Sequence, residues 1–409
     1  MNLSVAYNFD PHLITKLKAY PVTEIFGSID YSLVGSHRPG YALPNIKKEQ
    51  LEKSISLAHK YNIQFNYLLN AFTLAGNDFD PKFQNELKNF LGFLREIHVD
   101  KLTITNPFLM EFVRRNYPSF DIKASIVLGL NYLTQINHLL SLGINNFTLH
   151  FHQNRNFQLI RQLLKRGFNI TLLTNDGCIY HCPYYHFHAC NIAYSSQKDK
   201  KNKNLIDYYM LKCNQIKNTN PSEFLKIRWI RPEDIPLYES FGIREFKVAG
   251  RSRSSEWILK TVDAYSKCHY NGNLLDLLEI LENNPNPLNV WQKQLIEAMP
   301  PWWLSSFLKM LSYLKIKAKY TDRFNKLPAL TTKTLMDLYI HLYYPYLDNK
   351  TLNGFINFFI ENNCDLNDCM ECNYCSEWSK KCIKNNQQKS QKYAELLEKI
   401  LDQLTKLHL

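Results

Sequence analysis

The chain has 409 residues, a formal net charge of +12 and a hydrophobic content of 45%. That composition excludes a disordered chain, and the length predicts one large domain with a smaller appendage. No apolar run approaches the roughly 18 residues of a membrane span, and the opening Met-Asn-Leu-Ser-Val-Ala-Tyr has no basic or long apolar leader. The expectations are therefore no membrane, no signal peptide and a cytoplasmic setting. There, ten cysteines favour metal binding or burial over disulfides. The basic excess suits RNA or an anionic small molecule as substrate, and equally a lysine-rich, AT-biased coding background.

The first 175 residues alternate strand-like and helical runs. Val5–Phe9 reads as a strand and Pro11–Ala19 as a helix opened by its proline. Thr23–Ser28 is a strand, Ile46–Tyr61 a helix, Ile63–Asn70 a strand, Phe83–Ile97 a helix. Lys101–Thr105, Asp121–Leu128, Asn146–Phe151 and Phe168–Thr174 read as strands, separated by helices over Phe108–Asn116, Tyr132–Leu142 and Phe157–Lys165. Ile230–Gly242 reads as a turn and helix, and Arg244–Ala249 as an eighth strand. Eight such units predict an α/β fold: a (β/α)8 TIM-like barrel over residues 1–270, with a doubly wound open sheet as runner-up. A mainly helical extension is predicted for 271–360, with helices at Leu274–Leu281, Trp291–Ala298, Ser305–Leu314 and Thr332–Tyr343. Residues 361–409 form a Cys-rich segment closed by an amphipathic helix. On that helix Tyr393, Leu397, Ile400, Leu404 and Leu407 share one face, for docking on the barrel or for a dimer. Lys198–Lys203 reads as a solvated loop or an RNA contact.

Barrels of this kind carry out chemistry where their strands end. Those ends hold Asn8, Ser28, Asn70, Asn106, Ser125, His150, His152, Asn175 and Gly250–Arg251. Four cysteines follow the seventh strand in the loop 175–213: Cys178, Cys182, Cys190 and Cys213. Zinc sites favour paired knuckles, whereas an iron–sulfur cluster bridges irregular spacing, so this set reads first as cluster ligands, with zinc ligands or buried structural cysteines as alternatives. Tyr185 stands where a C-x3-C-x2-C radical signature needs its third cysteine, which argues against that chemistry. His181, His186 and His188 crowd the same loop, as ligands, proton donors or satisfied loop histidines. A second group, Cys364, Cys369, Cys372, Cys375 and Cys382, offers five thiols for four positions. We assign Cys369, Cys372, Cys375 and Cys382 as ligands of a second 4Fe-4S cluster or of zinc, with Cys364 competing for the fourth place. Lys247 and Arg251 flank the eighth strand's end and suit a carboxylate or phosphate, unless they pair with Glu24 or Glu256. Gly250 permits close backbone approach. Asn70, Asn175 and His150 are candidates to orient reacting groups.

The run Arg231-Pro-Glu-Asp-Ile, continued by Phe246-Lys-Val-Ala-Gly-Arg251, resembles the Ser-Pro-Lys-Asp-Leu and Leu-Lys-Ile-Glu-Gly-Arg runs of the collagenase-like (U32) peptidase superfamily. The strand-seven cysteines are similar too. The resemblance implies a barrel with a 4Fe-4S cluster on Cys178, Cys182, Cys190 and Cys213. It implies an oxygen-independent hydroxylase acting on RNA or a quinone precursor, with prephenate as oxygen donor in some relatives; others are called proteases. An electron-donor protein would be a partner. The residues show no Gly-x-Ser-x-Gly and no His-Glu-x-x-His, which disfavours hydrolysis. The expected function is therefore an iron–sulfur oxidoreductase. A peptidase and a zinc-stabilised RNA-binding accessory subunit stand as alternatives.

Overall fold

The structure is a computed structural model that describes residues 1–29, 32–38, 46–197, 208–280, 341–364 and 369–406. Eight parallel strands close into a barrel in sequence order: β1 Asn2–Ala6, β2 Val22–Gly27, β3 Gln64–Leu69, β4 Lys101–Ile104, β5 Asp121–Ala124, β6 Asn146–Thr148, β7 Asn169–Leu173 and β8 Glu245–Val248. β8 pairs with β1 to complete the ring. Helices α1 Pro11–Leu17, α2 Lys48–Lys60, α3 Pro81–Glu96, α4 Pro107–Asn116, α5 Leu133–Ser141 and α6 Phe157–Lys165 separate the first seven strands. Between β7 and β8 come α7 Tyr185–Ser196, α8 Tyr208–Thr219, α9 Glu223–Lys226 and α10 Ile235–Ser240; α11 Ser255–Ser266 follows β8. The predicted barrel is the observed one, and the open sheet is set aside.

The helix starts are built as their residues dictate. Asp10, Asp80 and Asn106 cap α1, α3 and α4 with side-chain oxygens, each just ahead of a proline whose missing N–H costs nothing there. β5 and β6 end earlier than predicted because short 3-10 turns, Ile126–Leu128 and Phe151–Gln153, take over. β1 begins earlier than predicted and ends before Phe9, whose φ of 64° leaves the extended region. The apolar core lies between strands and helices, with Val5, Ile25, Phe65, Leu102, Phe147 and Phe246 all buried.

The barrel's interior is unusual in being polar. Alternation along the strands turns Ser4, Glu24, Asn66, Thr103, Lys123, Thr148, Thr171 and Lys247 inward, and all are buried. The carboxylate of Glu24 accepts from Ser4 Oγ (2.5 Å) and Asn66 Nδ2 (3.1 Å). Lys101 Nζ stands 3.5 Å away and Lys123 Nζ 3.6 Å. Burial alone would raise Glu24, but the fields of Lys123 and Lys101 hold it down to about 2.

Of the extension, residues 281–340 lie outside the described residues. So do the predicted helices Trp291–Ala298 and Ser305–Leu314, most of Thr332–Tyr343, and the Lys198–Lys203 loop. Leu274–Leu277 is a single 3-10 turn. After residue 341 the chain forms a small antiparallel pair, β9 Tyr346–Leu347 with β10 Ile383–Lys384. Helices α12 Asn357–Glu361, α13 Cys369–Cys372, α14 Tyr374–Cys382 and α15 Gln387–Thr405 complete it. Arg231, Glu233 and Asn349 lock this extension to the barrel: Arg231 Nε donates to Asn349 Oδ1 (2.9 Å) and pairs with Glu233 (2.9 Å), while Asn349 Nδ2 donates to Glu233 Oε1 (2.9 Å). The apolar face of α15 is covered within the chain: Tyr393, Leu397, Ile400 and Leu401 pack with Leu211 of α8.

Replacing Glu24 by Gln leaves buried ammonium groups without their counter-charge and is expected to cost about 3–5 kcal/mol, read as a lower urea midpoint. Because Glu24 titrates lower in the folded chain than in the unfolded one, its stabilisation is full above the unfolded value of about 4.3 and fades as the pH falls toward about 2. Below pH 4.3 the wild type should therefore lose stability with a steeper slope than the Glu24→Gln variant.

Candidate functional site

The loop after β7 is pinned before it reaches its cysteines. Asn175 Nδ2 donates to Ala249 O and Leu277 O (both 3.1 Å), and its Oδ1 accepts from Ala249 N–H (2.8 Å). Both its N–H groups are spent on backbone, so Asn175 braces the loop and has no donor left for a substrate. At Gly177 a Cβ would meet Glu279 O at 2.5 Å, so only glycine lets the loop pass this close. Asp176 Oδ2 then accepts the Cys178 N–H (2.7 Å).

Beyond this brace, Cys178 and Cys182 come into electrostatic range of Cys213, which α8 carries, and of Lys217 one turn further along α8. Burial, then Asp176 and the neighbouring thiols, push the Cys178 thiol well up; burial foremost pushes Cys182 up to about 11. Cys190 lies on α7, and its thiol is raised by its own burial. As free groups these thiols are poor nucleophiles; metal binding would take their protons. Among the described residues no three His, Cys, Asp or Glu side chains converge tightly enough to hold one metal ion. The fold brings Cys178, Cys182 and Cys213 into one neighbourhood, and these are the thiols that would hold a metal or a cluster there.

Beside the thiols the barrel mouth is lined with imidazoles. His150, at the end of β6, stacks edge-on against His152 (centroids 4.4 Å) and Tyr185 (5.1 Å). His152 lies 5.1 Å from His181, and Tyr185 lies 5.5 Å from His186 and 6.3 Å from His37. His150 is 2% exposed, and neither ring nitrogen has a hydrogen-bond partner among the described residues. Burial, reinforced by His152, His186, His181 and His37, holds its pKa down to about 2, so it stays neutral. One N–H and one lone pair thus face the mouth uncommitted.

The other predicted residues are placed differently. Lys247 does not stand at the mouth. It points into the barrel, 3.8 Å over the Phe26 ring, in the field of Glu24; burial and the like charge of Lys123 press it down to about 7. Arg251 is buried and donates to Ser28 Oγ (2.8 Å) and Ser36 Oγ (3.0 Å). Asn70 accepts from the His37 N–H (3.2 Å) and so holds the β2 loop. At Gly250, φ is 144° and a Cβ would strike Trp257 at 2.6 Å, so the close approach there is packing rather than ligand.

In the second cysteine group the structure replaces one predicted thiol by another. Cys364, Cys369, Cys372 and Cys375 line one cavity. Cys382 is buried elsewhere, with its Sγ 3.4 Å from Thr351 O, because β10 begins at the next residue and draws it against the 3-10 turn Asn349–Leu352. Sequence reasoning named Glu24 only as a possible partner of Lys247 or Arg251, which the field between Glu24 and Lys247 bears out, and passed over Lys123, His37, Tyr180, Arg155 and Arg228. Glu24 and Lys123 were signalled by charges in the inward phase of their strands. The others gave no such sign, because only tertiary contacts bring them to the cysteines.

Comparison with known proteins adds the following. Residues 37–163 match the model of peptidase family U32. The uncharacterized protease MJ1657 of Methanocaldococcus jannaschii is 25% identical over 354 residues, covering 86% of each chain. The solved structure of the U32 peptidase Mk0906 is 17% identical and covers 61% of this chain and 92% of its own, with a TM-score of 0.46.

Because His150 and His37 titrate far below an unfolded histidine, the unfolded chain binds more protons below about pH 6.5, and stability should fall as pH drops from 7 to 5. Each such proton contributes about 1.4 kcal/mol per pH unit. His150→Gln should lower that slope by about one proton in urea titrations at the two pH values.

Proposed function

We infer that the chain, which belongs to the U32 collagenase-like peptidase family, is an enzyme working at the C-terminal mouth of its barrel beside a centre held by cysteines. The observation that carries this reading is the grouping of Cys178, Cys182 and Cys213 next to the unpartnered, neutral His150 and its ring of imidazoles. For the reaction itself, the family model and the printed name of the M. jannaschii relative support peptide hydrolysis better than an iron–sulfur oxidation. Hydrolysis is therefore the activity proposed first.

Each part of the mouth has a role in that proposal. His150 offers a hydrogen bond to a bound carbonyl or water without carrying charge. Arg251, fixed by two serines, gives the mouth a positive field that suits an anionic group. Lys217 offsets negative charge on the thiolates. A cluster bound at Cys178, Cys182 and Cys213, with Cys190 as the further thiol of the loop, would supply Lewis-acid or electron-transfer chemistry. The second reading, oxygen-independent hydroxylation of RNA or an anionic aromatic metabolite, would take its hydroxyl from water and pass two electrons to an external acceptor; it rests on how well Cys178, Cys182 and Cys213 suit a cluster.

Anaerobically purified protein should contain iron and acid-labile sulfide, and should cleave members of a fluorogenic peptide library. Cys178→Ala and His150→Gln should each lower cleavage by at least about tenfold. Cleavage that is unchanged in both variants would remove the chemistry from this site. Iron-loaded protein that cleaves nothing, yet reduces an added electron acceptor when given RNA or an aromatic acid, would overturn hydrolysis in favour of the second reading.

A further inference from the structure

The basic residues beside the C-terminal extension present an electrostatic problem that the described structure leaves open. Arg155 follows the β6 turn and is 2% exposed; Arg228, between α9 and β8, is 3% exposed. Neither forms an ion pair with a carboxylate among the described residues. Arg155 donates to the carbonyls of Leu225 (2.8 Å) and Trp229 (3.3 Å), and its guanidinium lies over the rings of Trp229 (4.4 Å) and Phe355 (4.9 Å). Asp234 feels Arg155 but shares its charge with Arg231. Arg228 lies 3.7 Å over the Tyr180 ring, its Nε is unpartnered, and it bonds to Cys364. Two buried cations this close to each other are costly unless a negative group faces them.

Arg228 and Lys226 line the cavity of about 200 Å³ formed with Cys364, Cys369, Cys372 and Cys375, and Arg155 stands behind it within electrostatic reach of Cys375 and Cys364. The cavity's frame is rigid. Tyr374 stacks on Phe358 (4.2 Å) and donates to Phe355 O (3.0 Å), which fixes the start of α14. Asn373, with φ of 51°, breaks the chain between α13 and α14, so that thiols spaced three residues apart reach one cavity from two short helices. A tetrahedral zinc closes its four cysteines around a single point and fills little of such a volume. A cavity of this size between four thiols fits a larger anionic group.

We propose that Cys364, Cys369, Cys372 and Cys375 bind a second iron–sulfur cluster of the 4Fe-4S class, whose negative charge is balanced by Arg228, Arg155 and Lys226. Tyr180 belongs to this cavity and also to the loop between Cys178 and Cys182, and its ring lies 5.5 Å from that of His152. The second site is therefore one residue's breadth from the barrel-mouth loop, and Arg228 stacked on Tyr180 joins the two. The proposal is independent of the reaction at the mouth and of whether Cys178, Cys182 and Cys213 hold a cluster.

The test is metal and sulfide analysis of the full chain, purified anaerobically and reconstituted with ferrous iron and sulfide. With both sites filled, about eight irons and eight sulfides are expected per chain, against about four for one cluster. Cys372→Ala/Cys375→Ala should halve both, whereas Cys382→Ala should change neither. Should the double variant fail to fold, Cys178→Ala/Cys213→Ala decides: it should keep about four irons and, after dithionite reduction, an EPR signal of one reduced cluster. Loss of all iron in that variant overturns the proposal. So does one equivalent of zinc that is lost with Cys372 and Cys375 in place of iron. If only the barrel-mouth reading fails, the wild type holds about four irons that vanish with Cys372 and Cys375 alone.

Discussion

A single carboxylate governs the interior of this barrel. Glu24 sits among Lys101, Lys123 and Lys247, with Ser4 and Asn66 completing its hydrogen bonds. Barrels are usually filled by branched apolar side chains, which pack from any direction. Here ionic contacts replace much of that filling, and they are directional. The register of β1, β2, β3, β5 and β8 must therefore be right for the charges to cancel, since one residue of slip would turn each of them outward. Burial, with the like charge of Lys123, holds Lys247 down to about 7 against the opposing pull of Glu24.

The mouth inherits its geometry from that closed ring. β6 delivers His150, β7 delivers the cysteine loop, and β8 delivers Arg251, all at one end because the strands are parallel. Cys213 arrives differently. It rides on α8, which the C-terminal helix α15 covers with Tyr393 and Leu397, while Ser390 Oγ donates to Asn218 O (2.8 Å). The last helix of the chain thus steadies a thiol that belongs to the barrel's functional end. That is a physical reason for the extension to exist beyond its own cysteines.

The extension's cysteines and the barrel's arginines are likewise a shared construction. Arg155 and Arg228 are barrel residues, yet the rings around them include Phe355 and Phe359 from the extension. Removing the extension would expose the aromatic cage and leave both guanidinium groups facing water. The barrel and its appendage are therefore one electrostatic unit, joined again by the contacts of Arg231, Glu233 and Asn349.

The order of the barrel could be read from residue patterns, because the alternation of strand and helix is local and each start carries its own signal, such as Asp10-Pro11 or Asp80-Pro81. The cysteine loop could be read as well, since its thiols lie close in sequence and follow a recognisable strand. Which thiols meet could not: Cys382 fits the spacing rule as well as Cys364 does, and only the pairing of β10 with β9 carries it away. Nor could the chain's pattern show that Lys247 faces Glu24 rather than a ligand, or that Asn175 spends its amide on backbone. Local periodicity determined the architecture and the face on which chemistry takes place. Tertiary packing alone decided which charges meet, because partners such as Arg228 and Cys364 are set together by elements more than a hundred residues apart.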